Sequence, residues 1–158
     1  MSKAGLKVAI AVSSQLPQFN SLEEAKNYYF SYRDERLALL KKVSQNSKMF
    51  SMDFKPESLK ILEKWYFQLY ENDSFSKLGI TREVFEECMA MYFCELAIRL
   101  IPNFTWAIEE SPFVKRRYEF GIQKPLFSYM LSRFTDLHKQ PDNKRHQYIY
   151  RQYKRLEF

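Results

Sequence analysis

Gly5, Gly79 and Gly121 are the only glycines among 158 residues. A chain so short of glycine lacks the turn residues of many-stranded sandwiches and barrels, and it has no glycine-rich loop to cradle a phosphate. Cysteine is scarce too. Cys88 and Cys94 sit six residues apart on one predicted helix, about 9 Å apart along its axis and on different sides, so they do not pair there. Free, buried thiols suit a reducing cytosol. Long apolar runs are missing: the uncharged stretch ending at Leu22 is broken by Gln15, Pro17, Gln18 and Asn20, and Val8–Val12 is too short for a signal-peptide core. These absences predict a cytoplasmic protein with no membrane association. Catalytic punctuation is absent as well, with no Walker loop, dinucleotide fingerprint, G-x-S-x-G elbow or HExxH pair. The expectation is therefore no catalytic residue, no metal and no cofactor, and nothing in the sequence calls for an enzyme.

What is present is core material. Hydrophobic residues make up 46% of the chain and aromatics 17%, enough for one domain spanning 1–158. The net charge of +6 is unevenly placed. Residues 1–50 carry 8 Lys+Arg against 4 Asp+Glu, residues 51–102 carry 6 against 9, and residues 103–158 carry 11 against 6. A basic excess of this kind keeps a domain soluble, or meets an acidic partner or nucleic acid.

The stretch 82–101 organises the rest. At 100° per residue, Val84, Phe85, Cys88, Met89, Tyr92, Phe93, Leu96 and Leu100 fill about half of the circumference, and Met91, Ala97 and Ile101 widen that arc. A helix apolar over most of its surface is covered on several sides, so it is predicted to be central. Thr81 caps it, and Glu83, Glu86 and Glu87 suit its positive end. Ser21 opens an earlier helix with Glu24 in capping-box position, running to about Val43 with Tyr28, Tyr29, Tyr32, Leu39 and Leu40 on one stripe. Pro56 opens a helix over 56–71, with Leu62, Trp65, Tyr66 and Leu69 inward and Glu57, Lys60, Glu63 and Lys64 outward. Phe104, Trp106 and Ile108 alternate with polar or small residues, as do Tyr118, Phe120 and Ile122, which reads as an antiparallel hairpin over 104–110 and 118–123. Pro125 is read as the start of a helix to about 139, and the last helix runs from about Lys144 towards Leu156. Val8, Ile10 and Val12 alternate with alanines, so residues 1–20 read as an edge strand or a mobile tail. The fold class is α+β and mainly helical: about five helices around the central one, with a two- to three-stranded antiparallel sheet.

Among charged residues, Glu95 and Arg99 stand four apart inside the apolar arc of the central helix. Charges there must pair or line a pocket, and Trp106 and Tyr118 of the hairpin complete the candidate partner pocket; the alternative is a structural ion pair. Arg36, within the tyrosine stripe, either stacks as a cation or covers the core with its stem. His138, His146, Asp136 and Asp142 straddle Pro141 and match no metal-ligand spacing. A basic set, Lys115, Arg116, Arg117, Lys144, Arg145, Arg151, Lys154 and Arg155, forms one positive surface if the hairpin connection and the last helix lie side by side. Tyr148 and Tyr150 flank it, the interleaving that single-stranded nucleic acids favour.

The segments FCELAIRLIPNFTWAIEE and YEFGIQKPLF, about residues 84–127, resemble small uncharacterised bacterial proteins, including immunity-type proteins. In those, a helix bearing a Gly-Glu pair leads into a strand bearing a tryptophan. Here the glutamate is Glu95 and the tryptophan Trp106, with Cys94 in the place of the glycine. The resemblance implies a small cytoplasmic binding protein and carries over no catalytic residue. The expected function is non-enzymatic protein binding of immunity or regulatory type; the alternative is nucleic-acid binding through the basic C-terminal face.

Overall fold

The structure, a computed structural model, describes residues 2–158. Its elements follow in the order α1 (Lys3–Ser13), α2 (Leu22–Ser47), α3 (Ser58–Glu71), α4 (Arg82–Leu100), β1 (Thr105–Glu110), β2 (Tyr118–Lys124), β3 (Phe127–Met130), α5 (Asp142–Arg145) and α6 (Tyr148–Leu156), with short 3-10 turns at Phe75–Leu78, Leu131–Phe134 and Leu137–Lys139. The protein is thus α+β and mainly helical. Its three strands form one antiparallel sheet in the order β1-β2-β3.

α4 is the centre. Phe85, Cys88, Met89, Ala90, Met91, Tyr92, Phe93, Cys94, Leu96 and Ala97 are all buried, so every face of the helix is covered. α2, α3, α6 and the sheet supply that cover. Phe93 stacks on Tyr129 of β3 and meets Tyr153 of α6 edge-on, while Trp65 of α3 meets Phe85 edge-on. The capping geometry is as the sequence dictates. Thr81 Oγ1 accepts from the amide of Val84 at 3.2 Å, and Ser21 Oγ accepts from that of Glu24 at 3.1 Å. The Glu24 carboxylate reaches one residue beyond the cap and takes the Asn20 amide at 2.9 Å. α2 continues to Ser47 and closes on Lys48 in the left-handed region. Pro56 lies in a turn, and α3 starts two residues later.

The hairpin forms as expected, and its register sets Trp106 opposite Ile122 and Ile108 opposite Phe120. Because directly opposed residues share a face, these four side chains and Tyr129, opposite Ile122, line one side of the sheet. Gly121 on the other side lets β3 approach: a Cβ there would collide with the Tyr129 carbonyl oxygen and sit 2.9 Å from Met130 Cα.

Three expectations are corrected. Residues 3–13 form a helix, not an edge strand; Ser2 Oγ caps it by accepting from the Gly5 amide at 3.0 Å. The alanines that alternate with Val8, Ile10 and Val12 are strong helix formers, and the chain after the helix reaches the sheet at a Gln18–Arg117 bridge. Residues 125–139 are not a helix. Lys124 pairs with Phe127 across a two-residue turn, with Pro125 first and Leu126 second at φ 65°. Proline followed by a positive φ is turn chemistry, and it wins over the helical spacing of Leu126, Phe127, Met130 and Leu131. The last helix is broken at His146–Gln147, where Gln147 takes φ 54°. Ile149, Tyr153 and Leu156 remain its buried face.

Candidate functional site

The first turn of α4 anchors a compact polar knot. Arg82, partly buried, directs Nη1 to Glu86 Oε2 at 2.8 Å, to Asp136 Oδ1 at 3.2 Å and to His138 Nδ1 at 2.8 Å, and Nη2 to Glu83 Oε1 at 2.9 Å. A guanidinium only donates, so Nδ1 of His138 is the acceptor and a neutral ring carries its proton on Nε2. Glu86 is 3% exposed. Besides Arg82 it accepts from the Tyr66 hydroxyl and from the Asp136 amide, the latter at 3.0 Å. Tyr66 Oη in turn accepts from the His138 amide at 2.9 Å. Burial and the Glu86 carboxylate push the Tyr66 phenol up, so it stays protonated. Lys139 and Arg82 hold the Asp136 carboxyl below its usual range. The knot ties α3 and α4 to the segment after β3. Among the described residues no buried side-chain nitrogen or oxygen lacks a partner, and no cluster of three or more His, Cys, Asp or Glu could hold a metal.

Beside the knot, sharing Glu86, opens a cavity of about 410 Å³. Its walls come from Gln15–Pro17, the N-terminal half of α2, the first half of α4, β2 and the segment that follows β3. Tyr28, Tyr29 and Tyr32 of α2 supply its aromatic side: Tyr28 stacks with Tyr32 at 6.2 Å, and Tyr29 meets both edge-on. Burial pushes the Tyr29 and Tyr32 phenols up, so both are neutral donors. Glu83, Glu86, Glu87 and Glu119 supply the charge. Glu87 is held by Arg36 Nε at 2.7 Å, and the same guanidinium lies 4.7 Å over the Tyr32 ring. Arg36 is therefore a stacked cation, one of the two alternatives its place among tyrosines left open.

A second buried carboxylate serves the fold. Glu63 of α3, 3% exposed, accepts from the amides of Tyr148 at 3.1 Å and Ile149 at 3.2 Å, which are donors at the start of α6. Burial pushes its carboxyl up to about 7, against the pull of those amides.

The sequence-derived candidates do not meet in one place. Glu95 and Arg99 pair at 3.1 Å, with the Arg99 side chain 51% exposed and lying 3.6 Å over the Phe54 ring. Trp106 stacks on Phe120 at 5.0 Å and faces Arg33 of α2. Tyr118 is buried against Phe19, and its carbonyl accepts from Tyr29 Oη at 2.7 Å. None of these four residues lines the cavity. The basic residues divide as well. Lys115, Arg116 and Arg117 precede β2, whereas Lys124 at its far end donates to the Leu156 carbonyl of α6 at 3.0 Å. β2, seven residues and about 20 Å long, runs from the hairpin connection to that contact with α6. Several basic side chains are also committed locally. Arg145 donates to the carbonyls of His138 and Gln140, Arg151 to those of Lys144 and His146, and Arg117 to that of Leu16. Glu63 and Glu86 escaped sequence reasoning because their partners come from remote segments. The one local signal was Arg82 standing four residues before Glu86.

A mainly helical α+β domain built on a fully covered helix, with a satisfied polar knot and an acidic aromatic cavity, matches no solved structure. The chain belongs to a family described as that of the uncharacterised protein YwmA, whose family model matches residues 18–157. It is 26% identical over 109 residues to the uncharacterised protein YwmA of Bacillus subtilis (strain 168), a match covering 69% of either chain. The family matches the expectation of a small uncharacterised bacterial protein.

Proposed function

We propose that the chain is a non-enzymatic, cytoplasmic protein-binding protein of regulatory or immunity type. The observation that carries this reading is α1. Of its eleven residues only Ser13 is buried, while Leu6, Val8, Ile10 and Val12 are all exposed, Val8 by 64%. An aliphatic helix with nearly all of its side chains in water is the kind of surface that a protein partner covers. α1 precedes the residues the family model matches. The test is co-purification from the native host with the wild-type chain and with a Val8→Asp/Val12→Asp variant. The reading expects a stoichiometric protein that the variant loses while its circular dichroism stays native. No partner, or the same partners with both chains, would refute it.

Nucleic-acid binding through a basic surface is the second reading. It is supported by the exposure of Lys144 and Arg155 beside Tyr148 and Tyr150, and weakened by the local commitments of Arg145 and Arg151. It expects affinity that falls steeply with salt and falls again when Lys144 and Arg155 become glutamate.

No helix among the described residues is long and apolar enough to cross a membrane.

A further inference from the structure

The cavity beside α4 combines two features that favour one ligand chemistry. Its volume of about 410 Å³ suits a small molecule. Four carboxylates reach it, and two guanidinium groups, from Arg36 and Arg82, pair with only three of them. Glu119 has no cationic partner among the described residues; it accepts a single hydroxyl bond from Ser132 at 3.1 Å. No lysine or arginine lines the walls of the cavity, although the chain as a whole carries +6.

The second feature is independent of charge. Tyr28, Tyr29 and Tyr32 all line the same space, and aromatic rings attract cations through their quadrupole. The protein itself demonstrates the chemistry: Arg36, which does not line the cavity, rests on Tyr32 while pairing with Glu87. Leu16, Pro17, Phe120, Leu131 and Phe134 make the remainder of the wall largely apolar. A ligand that satisfies all of this has an ammonium head for Glu119 and the tyrosines, and an aliphatic body for the apolar wall.

We infer that this cavity is a binding site for a primary alkylammonium, supplied either as a free aliphatic amine or as a lysine side chain of another protein. The site is distinct from the exposed surface of α1, and it stands or falls separately from protein binding through that helix.

Calorimetric titration of the full chain with 1,5-diaminopentane, with Nα-acetyl-lysine amide and with neutral 1,5-pentanediol tests the assignment. The diol has nearly the same length as the diamine and no charge. Saturable binding of either ammonium probe but not of the diol is expected. The first probe marks a free amine as the source and the second a protein lysine. Affinity should fall by about tenfold in Glu119→Gln, which loses the charge but keeps the shape. Tyr28→Ala, which removes a half-exposed ring and leaves the buried Tyr29 in place, should weaken binding while circular dichroism stays native. The assignment is overturned if neither ammonium probe binds, if the diol binds equally well, or if both variants bind like the wild type.

Discussion

Glu63 gives the fold a dependence on pH opposite in sign to that of most acidic groups. Its carboxyl titrates at about 7 in the folded chain, against 4.5 for an unperturbed glutamate. Below about pH 4.5 the group is protonated in both states and contributes no difference. Between there and about pH 7 the folded chain keeps a proton that the unfolded chain releases, so stability falls as pH rises. Above about pH 7 the loss is complete. At 1.36 kcal/mol per tenfold change in acidity the gap corresponds to about 3 kcal/mol, and partial solvent screening brings it to about 2–3 kcal/mol. Glu63→Gln isolates this contribution. The amide oxygen can accept from only one of the Tyr148 and Ile149 amides, at a cost of about 1 kcal/mol, but it never ionises. The wild type should therefore be the more stable protein near pH 5 and the less stable one near pH 8. Urea unfolding of both proteins across that range reads the difference directly, provided that the slopes agree. A wild-type-minus-variant difference that is flat with pH would refute the reasoning, because it would mean that Glu63 titrates like an ordinary carboxylate.

Arg82→Ala should strip Glu86 of the guanidinium that pairs with it at 2.8 Å and cost about 3 kcal/mol, a fall of about 6–12 °C in melting temperature. Arg82→Lys should recover only part of this, since an ammonium cannot meet Glu83, Glu86, Asp136 and His138 together. Gly121→Ala should force β2 and β3 apart and lower the melting temperature more than Gly79→Ala, where φ is 75° but nothing lies within 4 Å of the added carbon. Arg99→Ala should cost about 1 kcal/mol or less, in keeping with an exposed pair; a loss well above that, measured by urea unfolding, would mark a deeper role for Glu95 and Arg99.

The hairpin and the three long helices were legible because their side chains carry a period that burial enforces. Trp106 and Ile108 face Ile122 and Phe120 as the alternation requires, and the apolar girdle of α4 is buried on every side. Legibility failed where one local rule competed with another. The sequence Val8-Ala9-Ile10-Ala11-Val12 has a period of two, but on a helix its apolar side chains spread round the whole circumference, and with most of them in water burial enforces neither pattern. Pro125 serves equally as a helix start or as the corner of a turn, and pairing of Phe127 with Lys124 decides it. The polar knot was hidden for a different reason. Glu86 sits at a position suited to any helix N-terminus, and what buries it is Asp136, 50 residues further along. Glu63 likewise looks like an outward charge on an amphipathic helix until α6 arrives above it.

The cap that Glu63 provides also makes one helix dependent on another. α6 has nine residues, and its own sequence supplies no capping side chain; the residue before it, Gln147, makes no such bond. A helix of that length does not hold itself together in water. Its first amides are satisfied from α3, which the ribosome has finished some 85 residues earlier. The C-terminal helix therefore depends on α3 for its first turn and needs the surface of α3 and α4 to dock on. Until it does, Glu63 remains an ordinary solvated carboxylate, so completion of the fold is coupled to uptake of a proton at neutral pH.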